Sequence, residues 1–423
     1  MDAMLATVLD SVLLFAFAVP VVMKYRILPV DGTPYWLFGI LFLILGAHCF
    51  MSLYPGILGG YKKHLEKLKM LCVITTIAIT LGGAVVTSMF DRAKTAPVYG
   101  VHDIILQQEA AMRYLIVGKN PYKETYFNTP VESFNYDEPG NTEATNPALY
   151  HFVMPPWYVL FPFAFYFTAI PVLGFFDGRM ASLFAMILLL VTLWHWYRNK
   201  AIARIAIILT SLSPSVVEYF VEGRSDVFAL SWLMASLVLL NRKRFAASGA
   251  MLALSFLSKQ TIWFIAPFYL LYLWKQTKSH AAVFWQTVTI IVAVSLVIVT
   301  PFLLWDPRAF IESVILYLTG STAISYPVSG YGWGMVLQSF GWIRDIHAYY
   351  PFIYWQLGIA VPLGIVLMRG LWAAPSQSRM IISYAVFLGV YWYFSRYFNN
   401  SHLGYLSMLF VLGGLKAVDE THT

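Results

Sequence analysis

The stretch VFWQTVTIIVAVSLVIVTPFLL, from Val283 to Leu304, runs for 22 residues without a single charge. At about 1.5 Å of rise per residue, a helix of this length crosses the roughly 30 Å hydrocarbon layer of a bilayer. Within lipid the backbone must close its own hydrogen bonds, so an uninterrupted apolar block reads as a helix. The period-2 alternation of a β-barrel wall is absent. Similar blocks recur at Val8–Met23, Trp36–Tyr54, Met70–Phe90, Met180–Tyr197, Ala201–Tyr219, Val227–Leu240, Ala246–Leu257, Ile262–Trp274, Phe352–Leu367, Ile381–Phe394 and Leu403–Leu415. The expected fold is an all-α integral membrane protein with about 11–13 transmembrane helices.

The composition of the 423 residues agrees: 59% are hydrophobic and 12% charged, about half the charge of a soluble domain. The net charge of +7 comes from short basic clusters between apolar blocks, the pattern of cytoplasmic membrane loops rather than of nucleic-acid binding. The clusters are Tyr61-Lys62-Lys63-His64 with Lys67 and Lys69, Arg198-Asn199-Lys200 with Arg204, Arg242-Lys243-Arg244, and Lys275 with Lys278. One pair of apolar blocks separates each successive cluster, provided that Trp157–Leu173 is not a full span. That segment is aromatic-rich and broken by proline, which suits an interfacial helix. Both termini are then cytoplasmic, and the loop from Asp91 to Pro156 lies on the opposite face. Residues 1–69 read as a two-helix addition to a main domain spanning 70–423. The first block follows Asp2 rather than a basic segment and reads as a retained helix. Cys49 and Cys72 form neither a metal motif nor a disulfide framework.

The 91–156 loop is long for a membrane connection, and long connections are commonly functional. Its recurrent Tyr, Phe and Ile argue against disorder. Asp103 precedes an amphipathic stretch, Ile105–Ile116, expected to form a short helix lying along the surface. Gly118 and Asn120-Pro121 supply stop signals. A carboxylate at a helix start is favoured by the dipole, so Asp103 reads either as an N-cap or as a functional acid.

Asp103, the helical stretch and Gly118-Lys119-Asn120-Pro121-Tyr122 together resemble the first outward loop of the GT-C superfamily, polytopic glycosyltransferases that take sugar from a polyprenyl-phosphate donor. Pro147-Ala148-Leu149-Tyr150-His151-Phe152 with Met154-Pro155-Pro156-Trp157 resembles the element closing that loop. Glu222-Gly223-Arg224-Ser225-Asp226 is similar to the superfamily's Gly-x-x-Asp turn. Ala247-Ser248-Gly249-Ala250 leading to Ser258-Lys259 resembles its small-residue helix ending in lysine. The likeness covers roughly Met70 to Leu270, and mannosyltransferase-like members are the nearest in character.

The resemblance implies inverting transfer of a hexose to a glycan or glycolipid acceptor, with Asp103 as general base. It implies Lys259, Arg224, Arg396 and His402 around the donor phosphate, and Asp226, His151 and Tyr122 on the acceptor side; Glu143 is a further acceptor-side candidate. Many members carry an acidic pair where this chain has His102-Asp103, so a divalent metal stays an open question, with His102 as a possible ligand. On the residues alone, Arg224 and Asp226 could instead pair with each other, and Lys259 could be an interfacial anchor. The run Gly330-Tyr331-Gly332-Trp333-Gly334 suits flat contact with sugar rings or headgroups. A polymerase or ligase of lipid-linked glycans, or a transporter, is the alternative. A transporter would place ionisable residues at mid-membrane on broken helices, whereas these candidates sit at span ends.

Overall fold

The apolar runs set the helix lengths. The computed structural model describes residues 3–25, 35–54, 62–136, 138 and 144–421; Tyr61 and Glu143 lie outside them. The chain opens with α1 (Ala3–Tyr25), α2 (Tyr35–Leu53) and α3 (Lys62–Ile77), and α3 continues through a π-type turn into α4 (Gly83–Lys94). The 91–156 loop, termed the outer loop after its expected side, carries α5 (Asp103–Ile116), followed by α6 (Trp157–Leu160) and α7 (Phe163–Leu173), which flank the break at Phe161-Pro162. Next come α8 (Arg179–Trp196), α9 (Lys200–Leu212), α10 (Pro214–Val221), α11 (Asp226–Asn241) and α12 (Phe245–Phe256). The remainder comprises α13 (Ala266–Thr277), α14 (Ala281–Trp305), α15 (Pro307–Ile311), α16 (Tyr317–Thr319), α17 (Trp333–Ser339), α18 (Ile353–Trp355), α19 (Val361–Ala373), α20 (Gln377–Tyr393) and α21 (Asn400–Thr421). The sheet consists of β1 (Ser329–Gly330) paired in parallel with β2 (Tyr397–Phe398).

Among the described residues six helices are long and apolar enough to cross a membrane: Tyr35–Leu53, His64–Lys94, Arg179–Trp196, Ala281–Trp305, Ile353–Ala373 and Asn400–Thr421. The pair α9–α10 makes a seventh, bent by 50°. The bend sits at Ser213, held extended at φ −64°, ψ 143° by the following Pro214. This is the architecture of an all-α membrane protein. Trp157–Leu173, Asp226–Asn241 and Phe245–Phe256 are apolar but shorter, so length alone does not deliver the expected 11–13 spans.

The central helix is α11, buried on nearly every side between α8 and α12. A helix apolar all round belongs inside. Its contact with α12 is fixed by small hydroxyls: Ser236 and Ser248 each donate to the other's carbonyl at 2.8 Å, and Ser255 donates to the Ala229 carbonyl at 2.8 Å. Small residues let helices approach closely where lipid supplies no hydrophobic drive. The N-terminal helices pack on the bundle through α1 against α9. Asp10 of α1 pairs with Arg204 at 2.6 Å and with Lys69 at 3.5 Å, all three buried. Arg204 and Lys69 are therefore core ion-pair partners rather than loop cations.

The helix ends sort into two groups. At one end Lys416 donates to the Trp196 carbonyl, and Asp419 accepts from the backbone N–H of Arg198 and Asn199 at 3.0 and 2.8 Å. The other end of α21, about 33 Å away along a 22-residue helix, meets the start of α11 and the outer loop, where the cavity opens.

Candidate active site

The outer loop is organised from α5 outward. His102 is the cap, extended at φ −79°, ψ 151°, and Asp103 is the first helical residue. Asp103 is thus not the N-cap, although it sits where a helix dipole favours negative charge. The expectation of a surface helix is corrected: α5 is buried from Ile105 to Met112, including Gln107, Gln108 and Glu109. Those polar side chains have built-in partners. Gln107 donates to the carbonyls of Ala148 and His151, and Gln108 to that of Tyr158 at 2.7 Å. Glu109 accepts both guanidinium N–H groups of Arg92 at 2.8 Å.

Arg92 is one member of a buried four-residue network. It also contacts Asp177 at 2.9 Å, and Asp177 takes the Arg179 guanidinium at 2.8 and 2.9 Å. Two arginines balance two carboxylates, which makes burial tolerable. Arg179 then donates to the carbonyls of Gly100 and Val221, at 3.1 and 3.0 Å. The first lies just before Asp103 and the second just before Arg224. The His102 N–H donates to the Glu222 carbonyl at 2.9 Å, so the two segments are sewn together.

A cavity of about 520 Å³ opens here, within the range of small-ligand sites. Its lining includes His102, Asp103, His151, Arg224, Asp226, Lys259, Arg396 and His402. Tyr122 is not in it: the ring is edge-packed by Phe302 and Phe310, and the hydroxyl donates to the Met154 carbonyl at 2.9 Å. The acceptor-side role expected of Tyr122 gives way to a core role.

The Asp103 carboxylate holds two partners. His102 Nδ1 lies 2.7 Å from one oxygen, and the Asn146 amide donates to the other at 3.2 Å. The same His102 nitrogen lies 3.3 Å from the Ile104 amide nitrogen. Nδ1 cannot both carry and accept a proton, and the 2.7 Å contact to a carboxylate fixes it as the donor. Burial opposes ionisation of Asp103. The His102 imidazole, by charge and hydrogen bond, together with Asn146 and Arg224, nevertheless holds the carboxyl below the usual range.

Asp226 does not pair with Arg224. It opens α11 and pairs with Lys259 at 2.6 Å. Arg224 instead turns back over the Tyr219 ring, its Nε 3.4 Å from Glu222. Among the described residues its two terminal nitrogens have no hydrogen-bond partner, so Arg224 keeps donors open to the cavity while its Nε pairs with Glu222. Arg396 is its opposite: buried, with N–H groups donated to the carbonyls of Tyr326, Ala348, Ile346 and His347. It organises the 326–348 segment and has little left for a phosphate. His402 Nδ1 lies 2.7 Å from Asn399 Oδ1, and the ring packs on Trp392 at 4.4 Å. His151 packs on Tyr317, with Nδ1 3.3 Å from Ser313; burial pushes its imidazole down, against Glu312.

The chain matches no protein-family model and no curated protein.

Sequence reasoning passed over several groups that build the site. Asn146 precedes the quoted Pro147 run, and an Asn-Pro pair is a turn signal in its own right. Gln260 donates to the carbonyls of Val153 and Val314, tying the outer loop to the segment after α14. Trp263, Phe264, Tyr391 and Phe352 give the cavity an aromatic wall, with the Phe264 and Tyr391 rings 4.3 Å apart. Within the Gly330–Gly334 run, Gly330 has φ +88°, and a Cβ there would collide with the Phe398 carbonyl. That glycine serves backbone pairing with β2, and the run does not line the cavity. Among the described residues no three His, Cys, Asp or Glu side chains are grouped to hold a metal ion, and His102 spends Nδ1 on Asp103.

Proposed function

We propose that the chain is a membrane glycosyltransferase of the GT-C type, moving a hexose from a polyprenyl-phosphate donor to a hydroxyl of a glycan or glycolipid. The supporting observation is one cavity that gathers an anionic group at the start of α5 with cations from two other segments, beside an aromatic wall. In the direct form of the reading, Asp103 accepts the acceptor's hydroxyl proton as the oxygen attacks the anomeric carbon. The phosphate departs from the opposite face of the sugar. Arg224, with two free nitrogens, and Lys259 stabilise the charge that develops on it. The aromatic wall offers flat apolar faces to a sugar ring or to the first isoprene units of the donor. The reaction takes place on the non-cytoplasmic face, opposite the basic clusters.

The test is transfer by purified protein from a panel of polyprenyl-phosphate sugars to glycolipid acceptors. Wild type is expected to turn over at least one donor. Asp103→Asn is expected to lose roughly 10²–10⁴-fold in rate while unfolding in detergent close to wild type. Wild-type-like turnover in that variant removes Asp103 from the mechanism.

A further inference from the structure

We infer that the proton of the acceptor hydroxyl passes to His102 Nε2, with Asp103 holding the imidazole rather than meeting the substrate itself. The inference rests on the sugar-transfer reading above and changes which side chain does the proton work.

The geometry is that of a histidine–carboxylate dyad. His102 Nδ1 and Asp103 Oδ1 are 2.7 Å apart, a charge-assisted contact that places the ring proton on Nδ1. In the neutral ring the lone pair is then on Nε2. Among the described residues Nε2 has no hydrogen-bond partner, and the residue lines the cavity. Its side chain is 26% exposed against 14% for Asp103, so the imidazole is the more accessible of the two. The ring is also held in place. Phe134 packs on it with centroids 5.9 Å apart, and the His102 N–H is tied to the Glu222 carbonyl. Asp103, by contrast, has both oxygens engaged, by His102 and by Asn146.

The chemistry favours the same assignment. A carboxylate whose two oxygens already accept from His102 and Asn146 is poorly placed to take the acceptor's proton. An imidazole whose N–H donates to a carboxylate presents its lone pair at the other nitrogen, and the carboxylate stabilises the imidazolium that forms. The step balances: the acceptor oxygen bonds to the anomeric carbon and its proton moves to Nε2. The carbon–oxygen bond to phosphate breaks, and the electron pair leaves with the polyprenyl phosphate. The imidazolium then returns its proton to water. The other titratable and charged groups that act on Asp103 are Arg224 on the turn before α11, Tyr136 in the outer loop, Tyr158 on α6, Tyr317 on α16, and Tyr326 after it. Tyr326 is pushed up to about 12 by burial, with Asp103 adding to the shift. The tyrosines therefore stay protonated across the working range.

The experiment measures transfer between about pH 5 and 9 for wild type, His102→Asn and His102→Gln. Asparagine can keep a donor to Asp103 but has no titrating nitrogen. An imidazole base places the acid limb of the rate profile between about pH 5 and 8. The expected result is that limb in wild type, and in both variants a loss of roughly 100-fold or more with the limb gone from the residual activity. A flat wild-type profile, or either folded variant within threefold of wild type, overturns the dyad and returns the proton to Asp103. No turnover by wild type with any donor counts against the sugar-transfer reading instead. In that event nitrogen NMR of histidine-labelled protein still decides the dyad. The signal lost in His102→Asn is expected to report a protonated Nδ1 and a bare Nε2 above neutral pH, with that preference weakened in Asp103→Asn. A protonated Nε2 in wild type overturns it.

Discussion

Replacing Arg92 by methionine tests whether the buried ion network holds the site. The Arg92 side chain is 7% exposed, Glu109 6% and Asp177 2%. Its guanidinium makes three contacts of 2.8–2.9 Å to the two carboxylates, and its Nε donates to the Pro97 carbonyl. Methionine fills much of the same volume but leaves two carboxylates facing the single charge of Arg179. Breaking a buried pair from one side costs about 3–5 kcal/mol, mostly because a charge is left uncompensated. The double variant Arg92→Met with Glu109→Met restores the balance, with Asp177 and Arg179 still paired. Relative to Arg92→Met, its added loss is the Glu109 contact to the Gly178 N–H, 3.0 Å in the native protein, about 1 kcal/mol; the lost Nε bond to the Pro97 carbonyl is common to both variants. The double variant is therefore expected to be more stable than Arg92→Met by about 2 kcal/mol or more, a coupling measurable as a double-mutant cycle. Equilibrium unfolding in mixed micelles supplies the free energies, with the detergent melting temperature as a check. A single variant within about 1 kcal/mol of wild type, or a double variant no better than the single, refutes the network as the anchor of α5.

Lys259→Ala removes the partner of Asp226 and a cation from the donor side. The donor KM is expected to rise roughly tenfold or more with the acceptor KM little changed, and equal effects on both would count against donor binding. Gly223→Ala sets a Cβ at φ +90°, 2.5 Å from Ile105 Cγ1 and 2.9 Å from Arg179 Cγ. Left-handed strain and overpacking are expected to cost about 2–5 kcal/mol together, and the push on Ile105 to lower the transfer rate; a normal melting temperature would contradict the packing. Tyr122→Phe removes only the hydroxyl donated to Met154. It is expected to lose about 1 kcal/mol of stability with turnover unchanged, and a large loss of rate would restore Tyr122 to the acceptor site.

The correct and corrected expectations divide along physical lines. Asp226 and Lys259 are 33 positions apart, and spacing alone gave no reason to prefer that pair over Arg224 with Asp226. The choice depends on how α11 packs against α12. Arg396 and Tyr122 were expected at the donor phosphate and on the acceptor side, from a resemblance that carries no information on burial. Both are buried once β1 pairs with β2 and α5 sinks into the bundle. Asn146 becomes a partner of Asp103 only when the end of the outer loop folds back 43 residues to the start of α5.

Local transfer energetics are legible in the amino-acid order. Blocks such as Val283–Leu304 must be helical in lipid, the proline-broken Trp157–Leu173 segment is not one full span, and the outer loop must be ordered and polar. Those properties are additive over neighbours in the chain, so composition and periodicity carry them. Which charges meet was decided in three dimensions alone. Arg92, Glu109, Asp177 and Arg179 come from three helices and the segment just before α8, and their pairing sets the position of α5. The partner of each ion is chosen by desolvation and distance in the packed bundle, where a separation of 85 residues between Arg92 and Asp177 becomes 2.9 Å.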